Sequence, residues 1–159
     1  MKKNLLVAFI YLLTALNNQL FAYSDTQGMI TYLFTPEHGL SSTKVTTILQ
    51  DNTNFLWIGT EDGLNRFNGY DFTVYKNQPG DSLSLISNHI TALFQDSGNR
   101  LWVATIAGLE YYDLACDGFI SVSLNLPDEV IKNNQCNDII EDSRGNLWFA
   151  VSGYGVVCY

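Results

Sequence analysis

DSRGNLWFA, Asp142 to Ala150, decides how this chain is read, because the chain writes it three times. DSGNRLWVA runs from Asp96 to Ala104 and DNTNFLWIG from Asp51 to Gly59. In each copy an Asp stands six residues before a Trp. A Leu precedes the Trp, an apolar residue follows it, and Gly or Ala comes next. Trp57, Trp102 and Trp148 are the only tryptophans, at spacings of 45 and then 46 residues. A self-similar period of that length marks a repeat architecture and takes precedence over any local reading.

Working outward from the tryptophans, each copy reads as short strands divided by turn signals. The first strand is expected over Val45–Gln50, Ile90–Gln95 and Cys136–Glu141. A tight turn built on Asp51, Asp96 or Asp142 follows, since Asp and Asn bond their own backbone and tolerate unusual φ. The second strand is expected over Leu56–Thr60, Leu101–Thr105 and Leu147–Val151. The third opens on Gly63, Gly108 or Gly155 and runs to Phe67, Tyr112 or Tyr159. The fourth is Phe72–Tyr75 and then Phe119–Leu124; the last copy stops before its own. Side chains alternate faces along a strand, yet Leu56 and Ile58 on one face and Trp57 and Gly59 on the other are all apolar or small. A sheet with one wet face would alternate apolar with polar, so these sheets are expected to be sandwiched. Helical solenoids are excluded, because the runs are short and β-branched with no sustained 3.6-residue period.

The expected fold is therefore all-β, with about three four-stranded antiparallel β-propeller blades in an incomplete propeller. The repeats are placed at 45–89, 90–135 and 136–159 (incomplete), after a lead-in segment, 23–44. Residues 1–22 have the layout of a secretory signal peptide and its helix: Lys2 and Lys3, an apolar run from Leu5 to Leu16, and Leu20-Phe21-Ala22 before the cut. The run falls short of the roughly 20 residues that span a bilayer. Loss of Lys2 and Lys3 moves the net charge from −8 to −10, which repels nucleic acid and anionic membranes. The three cysteines, Cys116, Cys136 and Cys158, form no CxxC pair, and the last two are read as small core residues. A disulfide framework is not expected.

The pattern V-x-x-I-x-x-D-S-x-G-N-L-W-I-G-T-x-G-G-L-x-R-F, met over Val45 to Tyr159, resembles the two-component regulator propeller repeat. It differs from WD repeats, which carry Gly-His and Trp-Asp pairs, and from kelch repeats with their double Gly. Ile30–Phe34 with His38-Gly39-Leu40-Ser41-Ser42 resembles the family's lead-in to its first blade. The resemblance implies the periplasmic sensor region of a hybrid two-component histidine kinase of Bacteroidetes type, responding to glycan breakdown products. Kinase, receiver and DNA-binding parts have no counterpart here, so signalling output is expected only in a longer parent. Closed propellers use roughly 4–8 blades, and this chain is read as an N-terminal fragment. An oligosaccharide ligand, dimerisation through the parent, and membrane contact only through regions beyond Tyr159 are the expected partners.

The turn between first and second strands barely changes among the copies, so Asp51, Asp96 and Asp142 are read as structural. Trp57, Trp102 and Trp148 are read as wedges between blades, and Gly63, Gly108 and Gly155 as turn residues. The loop between second and third strands does change, as do the connections Asn77–Asn88 and Asn125–Gln135. Variation on a constant frame marks recognition surfaces, so Glu61, Asp62, His89 and Tyr154 are the candidate ligand residues. Each alone is otherwise a solvated loop residue. No enzyme is expected, for there is no nucleophile beside a base and no phosphate loop. The two histidines, His38 and His89, hold different places in their repeats, and neither a metal nor a cofactor is expected. The alternatives are a pure interaction scaffold and, further off, a carbohydrate-active propeller enzyme.

Overall fold

The computed structural model describes residues 22–24, 30–124 and 135–159. The expected signal peptide lies outside these residues except for Ala22, and so does the Asn125–Gln135 connection except for Gln135. The chain divides between Phe34 and Thr35. On the N-terminal side, β1 (Ala22–Ser24) pairs antiparallel with β2 (Ile30–Tyr32), so the lead-in strand is shorter than Ile30–Phe34.

On the C-terminal side stand three meandering antiparallel sheets. The first is β3 (Val45–Gln50), β4 (Leu56–Thr60), β5 (Gly63–Phe67) and β6 (Phe72–Tyr75). The second is β7 (Ile90–Gln95), β8 (Leu101–Thr105), β9 (Gly108–Asp113) and β10 (Gly118–Val122). The third is β11 (Cys136–Glu141), β12 (Leu147–Val151) and β13 (Gly155–Cys158). β10 begins and ends earlier than Phe119–Leu124. β13 ends at Cys158, while the N–H and C=O of Tyr159 exchange hydrogen bonds of 2.8 and 3.1 Å with Leu147. First strands of successive sheets lie side by side, β3 against β7 and β7 against β11. Three sheets standing on neighbouring inner strands are the blades of a propeller.

Local chemistry explains the turns. Asp51 Oδ1 accepts the N–H of Thr53 at 2.8 Å and of Phe55 at 3.0 Å. Asp142 Oδ1 does the same for Arg144 and Asn146. These turns need one left-handed residue, supplied by Asn54 (φ 70°), Asn99 (φ 68°) and Gly145 (φ 84°). In the next turn Thr60 Oγ1 donates to Gly63 O at 2.9 Å and accepts the Asp62 N–H at 3.0 Å. Thr105 repeats this with Gly108 and Ala107. Val151, at the same position, has no hydroxyl. Its turn is one residue longer and closes through the Tyr154 N–H to Val151 O at 3.2 Å.

Burial reads out the stacking. Every residue of β8 is buried, because the second sheet is covered on both faces. β12 alternates, with Leu147 and Phe149 buried and Trp148 37% exposed. The third sheet is thus covered on the face toward the second and open on the other. One cluster joins Trp57 and Leu64 to Leu85, Ile90, Leu101, Val103 and Phe119. The next joins Trp102 and Leu109 to Cys136, Ile139, Leu147 and Phe149. The sandwich expected for all three copies holds in full only for the middle one. Of the two cysteines read as core, Cys136 is buried and Cys158 is exposed, since β13 is the outer strand of its sheet among the described residues.

The small residue after each Trp answers to its neighbours. A Cβ on Gly59 would come within 2.6 Å of Thr47 Cγ2 and 2.7 Å of Ile90 Cγ2. In the second sheet Ala104 occupies this place, opposite Ala92, with Cys136 in the same cluster. Thr47 and Ile90 have become Ala92 and Cys136, and the room so made admits a methyl group.

Candidate functional site

The variable turns gather at one end of the sheets because each is bonded to the residue before its own first strand. Glu61 N–H donates to Lys44 O, Ile106 N–H to His89 O and Ser152 N–H to Gln135 O, at 2.9–3.1 Å. A second, deeper bond fixes the segment leading into each of the first two sheets. Asn65 Oδ1, fully buried, accepts the Ser41 N–H at 2.8 Å, and its amide donates to Ser41 Oγ and Ile58 O. Glu110 takes the same place in the second sheet. Its carboxyl, also fully buried, accepts the Ile86 N–H at 3.1 Å on both oxygens.

Glu61 pairs with Lys44 at 2.7 Å in the open. The Lys44 hydrogen bond holds the Glu61 carboxyl below its usual range, helped by Lys44 and His89 charge. The same bond raises the Lys44 ammonium. Asp62 takes Lys76 Nζ at 2.7 Å and Asn88 Nδ2 at 3.2 Å. Asn88 also accepts the Gly63 N–H on its backbone oxygen and the Asn77 N–H on its side chain, both at 2.7 Å. The connection Asn77–Asn88 is thereby tied to the turn of the first sheet. His89 follows Asn88, half-buried, at the position Lys44 holds one repeat earlier. The fold therefore brings Glu61, Asp62 and His89 into one charged rim with Lys44, Lys76 and Asn88. Tyr154 lies in the third sheet's turn, 49% exposed.

A cavity of about 380 Å³ opens at the turn of the second sheet. Its walls are chiefly apolar, Ile86, Leu109, Val122, Leu124, Cys136 and Val151, with Ser121 and Ser123 as its polar side chains. Among the described residues no three His, Cys, Asp or Glu side chains stand together as a metal site. Exposed ion pairs contribute little to stability, of order 0–1 kcal/mol. Their side chains can therefore exchange partners for a ligand at small cost.

At the opposite end lies a set of residues that the sequence reading did not single out. Arg66 projects from β5 into a box of rings, its guanidinium carbon 5.2 Å from Phe55, 5.6 Å from Trp57 and Tyr75, and 5.9 Å from Tyr112. It donates to Tyr112 Oη at 2.8 Å and lies 3.5 Å from Asp117. Tyr75 and Tyr112 both donate to Asp117 Oδ1. The Tyr112 bond holds the Asp117 carboxyl low, while burial raises both phenols. Because Tyr112 and Asp117 belong to the second sheet and Arg66 and Tyr75 to the first, the box is a clamp between sheets. The last residue of each following first strand adds another. Gln95 bonds Asn52 in both directions, at 2.9 and 3.2 Å, and Glu141 accepts the Ser97 N–H and Oγ–H at 2.6 Å. The recurring Gln-Asp, Gln-Asp, Glu-Asp ahead of the turn is the signal that carried these contacts.

Comparison with known proteins places this geometry. A family described as two component regulator propeller matches residues 39–62, 84–107 and 131–153. A histidine kinase, P4, of Formosa agariphila is 52% identical over 52 residues, which are 33% of this chain and 4% of that protein. The extracellular domain of a hybrid two component system from B. thetaiotaomicron superposes with a TM-score of 0.68 at 30% identity, covering 78% of this chain and 18% of that one. The corresponding domain of a second such system from the same organism superposes at 0.62 and 23% identity, over 86% of this chain and 19% of its own. The second likeness speaks for the fold alone. The chain thus spans less than a fifth of either solved domain and a small fraction of the kinase.

Proposed function

We propose, from its match to the two component regulator propeller family, that the chain is part of an extracytoplasmic sensing region whose ligand meets the rim around Glu61, Asp62 and His89. The signal is made elsewhere in a longer parent, a histidine kinase of the hybrid kind, and no catalysis is assigned to these residues. The observation that carries the reading is the contrast between the two ends. At one end the Asp-to-Trp turns recur with the same bonds. At the other, an unchanging backbone frame presents side chains that differ in every repeat. The rim's lysines, carboxylates and amide suit a ligand rich in hydroxyl or charged groups, and an oligosaccharide released from glycans is the class proposed. Export to the periplasm accords with the extracellular domains named above.

Titration calorimetry of the exported chain against a panel of neutral and acidic glycan oligosaccharides tests the proposal. Saturable binding that Asp62→Asn and Glu61→Gln weaken at least tenfold is the expected result. Binding that no rim substitution changes would move the site elsewhere. Turnover of a sugar, in place of binding, would favour an enzyme. A scaffold reading has in its favour the exposed apolar residues of the third sheet, Ile140, Trp148 and Val156, and is preferred if no sugar binds.

A further inference from the structure

Glu110 is fully buried at the interface between the first and second sheets. On its own face of β9 the next side chain is Tyr112, with Arg66, Tyr75 and Asp117 around it. Across the strand pairs it is flanked by Val103 and Ser121, and Ile86 covers it. The connection above carries Asp81 and His89, and the turn of the first sheet carries Asp62. Of all these, only the Ile86 N–H and the Ser121 hydroxyl, 3.5 Å away, bond the carboxyl. Asn65, its counterpart in the first sheet, does the same work with a group that cannot ionise.

We propose that Glu110 is a proton-operated latch on the connection that runs from Asn77 to His89. As the neutral acid it accepts the Ile86 N–H and keeps Leu85 and Ile86 seated against the second sheet. On losing its proton to solvent it becomes a buried carboxylate whose one strong donor is the Ile86 N–H, with no cation among the residues bonded to it. Such an anion gains by reaching solvent, and reaching solvent requires Ile86 to lift. The strain passes along the connection: Leu85 O is held by Asn77, and Asn88 joins Asp62 and Gly63. The far end of the latch is therefore the charged rim.

The direction of the response follows from burial, which pushes the Glu110 carboxyl from an ordinary value near 4.5 up to about 7, against the smaller pull of Ile86 and Ser121. A group raised in the folded state holds fully below its unfolded value and loses its hold as pH rises through the folded one. The latch is thus closed in mild acid and loosens toward neutrality.

Hydrogen exchange of the full chain, corrected for the intrinsic effect of pH, reads this directly. From about pH 5 to about pH 7, exchange of the peptide Asn77–His89 should accelerate at least tenfold and level off above that, since the released carboxyl ionises from its ordinary value near 4.5 upward while the seated one holds its proton to about 7. Glu110→Gln should hold the slow rate throughout. His89→Asn should keep the acceleration, although histidines titrate in the same range. A pH-independent wild type, a Glu110→Gln protein that still responds, or a His89→Asn protein that does not would each overturn the proposal. If Glu110→Gln does not fold, carbon NMR of the Glu110 carboxyl in the wild type decides. A midpoint near neutrality is expected, and one in the ordinary carboxylate range is fatal. The proposal does not rest on the sugar-binding reading, and loss of glycan binding leaves it standing.

Discussion

The indole N–H of Trp57 donates to Asp51 Oδ2 at 2.7 Å, and this bond is the reason the two residues keep a fixed distance of six in the chain. Trp102 donates to Asp96 at 2.8 Å and Trp148 to Asp142 at 3.1 Å. One carboxylate therefore closes the turn with one oxygen and satisfies the indole N–H with the other. Burial raises the Asp51 carboxyl, but the Thr53 and Trp57 bonds outweigh it and leave the group below its usual range. The Asn146 and Trp148 bonds lower Asp142 likewise.

Removing the carboxylate strands several donors together. Asp51→Ala leaves the Trp57 indole N–H and the Thr53 and Phe55 amides without their acceptor. A loss of about 2 kcal/mol or more is expected, as for hydrogen bonds to a charged group whose partner stays buried. Urea unfolding followed by tryptophan fluorescence measures it. A loss within about 0.5 kcal/mol, the range of ordinary surface substitutions, would show that the turn does not depend on this bond.

The tryptophans are equivalent in sequence and unequal in structure. Trp57 packs on Tyr112 at 4.9 Å and Trp102 on Tyr159 at 6.0 Å, each ring meeting an aromatic of the following sheet. Trp148 is 37% exposed. Trp57→Ala or Trp102→Ala should cost about 3–5 kcal/mol, the range for a buried large-to-small change. Trp148→Ala should cost less than half as much. Equal losses at all three positions would mean that the open face of the third sheet is covered in solution.

A methyl group at Gly59 has no room of its own, so Gly59→Ala should destabilise by about 1–3 kcal/mol through overpacking. Thr47→Ala, which creates in the first sheet the pair that Ala92 and Ala104 form in the second, should return part of that loss. The two changes should couple by more than about 0.5 kcal/mol in a double-mutant cycle. Simple additivity would show that Ile90, and not Thr47, sets the limit.

Much of this structure was legible because its causes lie within a few residues. Asp51, Asn54 and Trp57 are bound to one another inside a single turn and strand, so their spacing survives as a pattern in the chain. The same holds for Thr60 with Gly63, whose bond spans three residues. Arg66 was not legible, since nothing in GLNRF says that Tyr112 and Asp117 of another sheet complete its box. Glu110 was passed over for the same reason: an acid in a strand reads as a wet position until Ile86 is found lying on it. Among the candidate ligand residues, side-chain bonds hold Glu61 through Lys44 and Asp62 through Lys76 and Asn88, while His89 adjoins Asn88 in the chain and Tyr154 lies in the third sheet's turn.

By itself the sequence determined the strands, their turns and the fact of repetition, because alternation, left-handed Asn and Gly, and Asp side-chain bonds act along the chain. Tertiary structure alone decided which faces are covered, which of three like tryptophans is buried, where a buried carboxyl is left with a single strong donor, and which loops meet. Those outcomes depend on what each sheet packs against, and the partners come from residues 24 to 46 positions away.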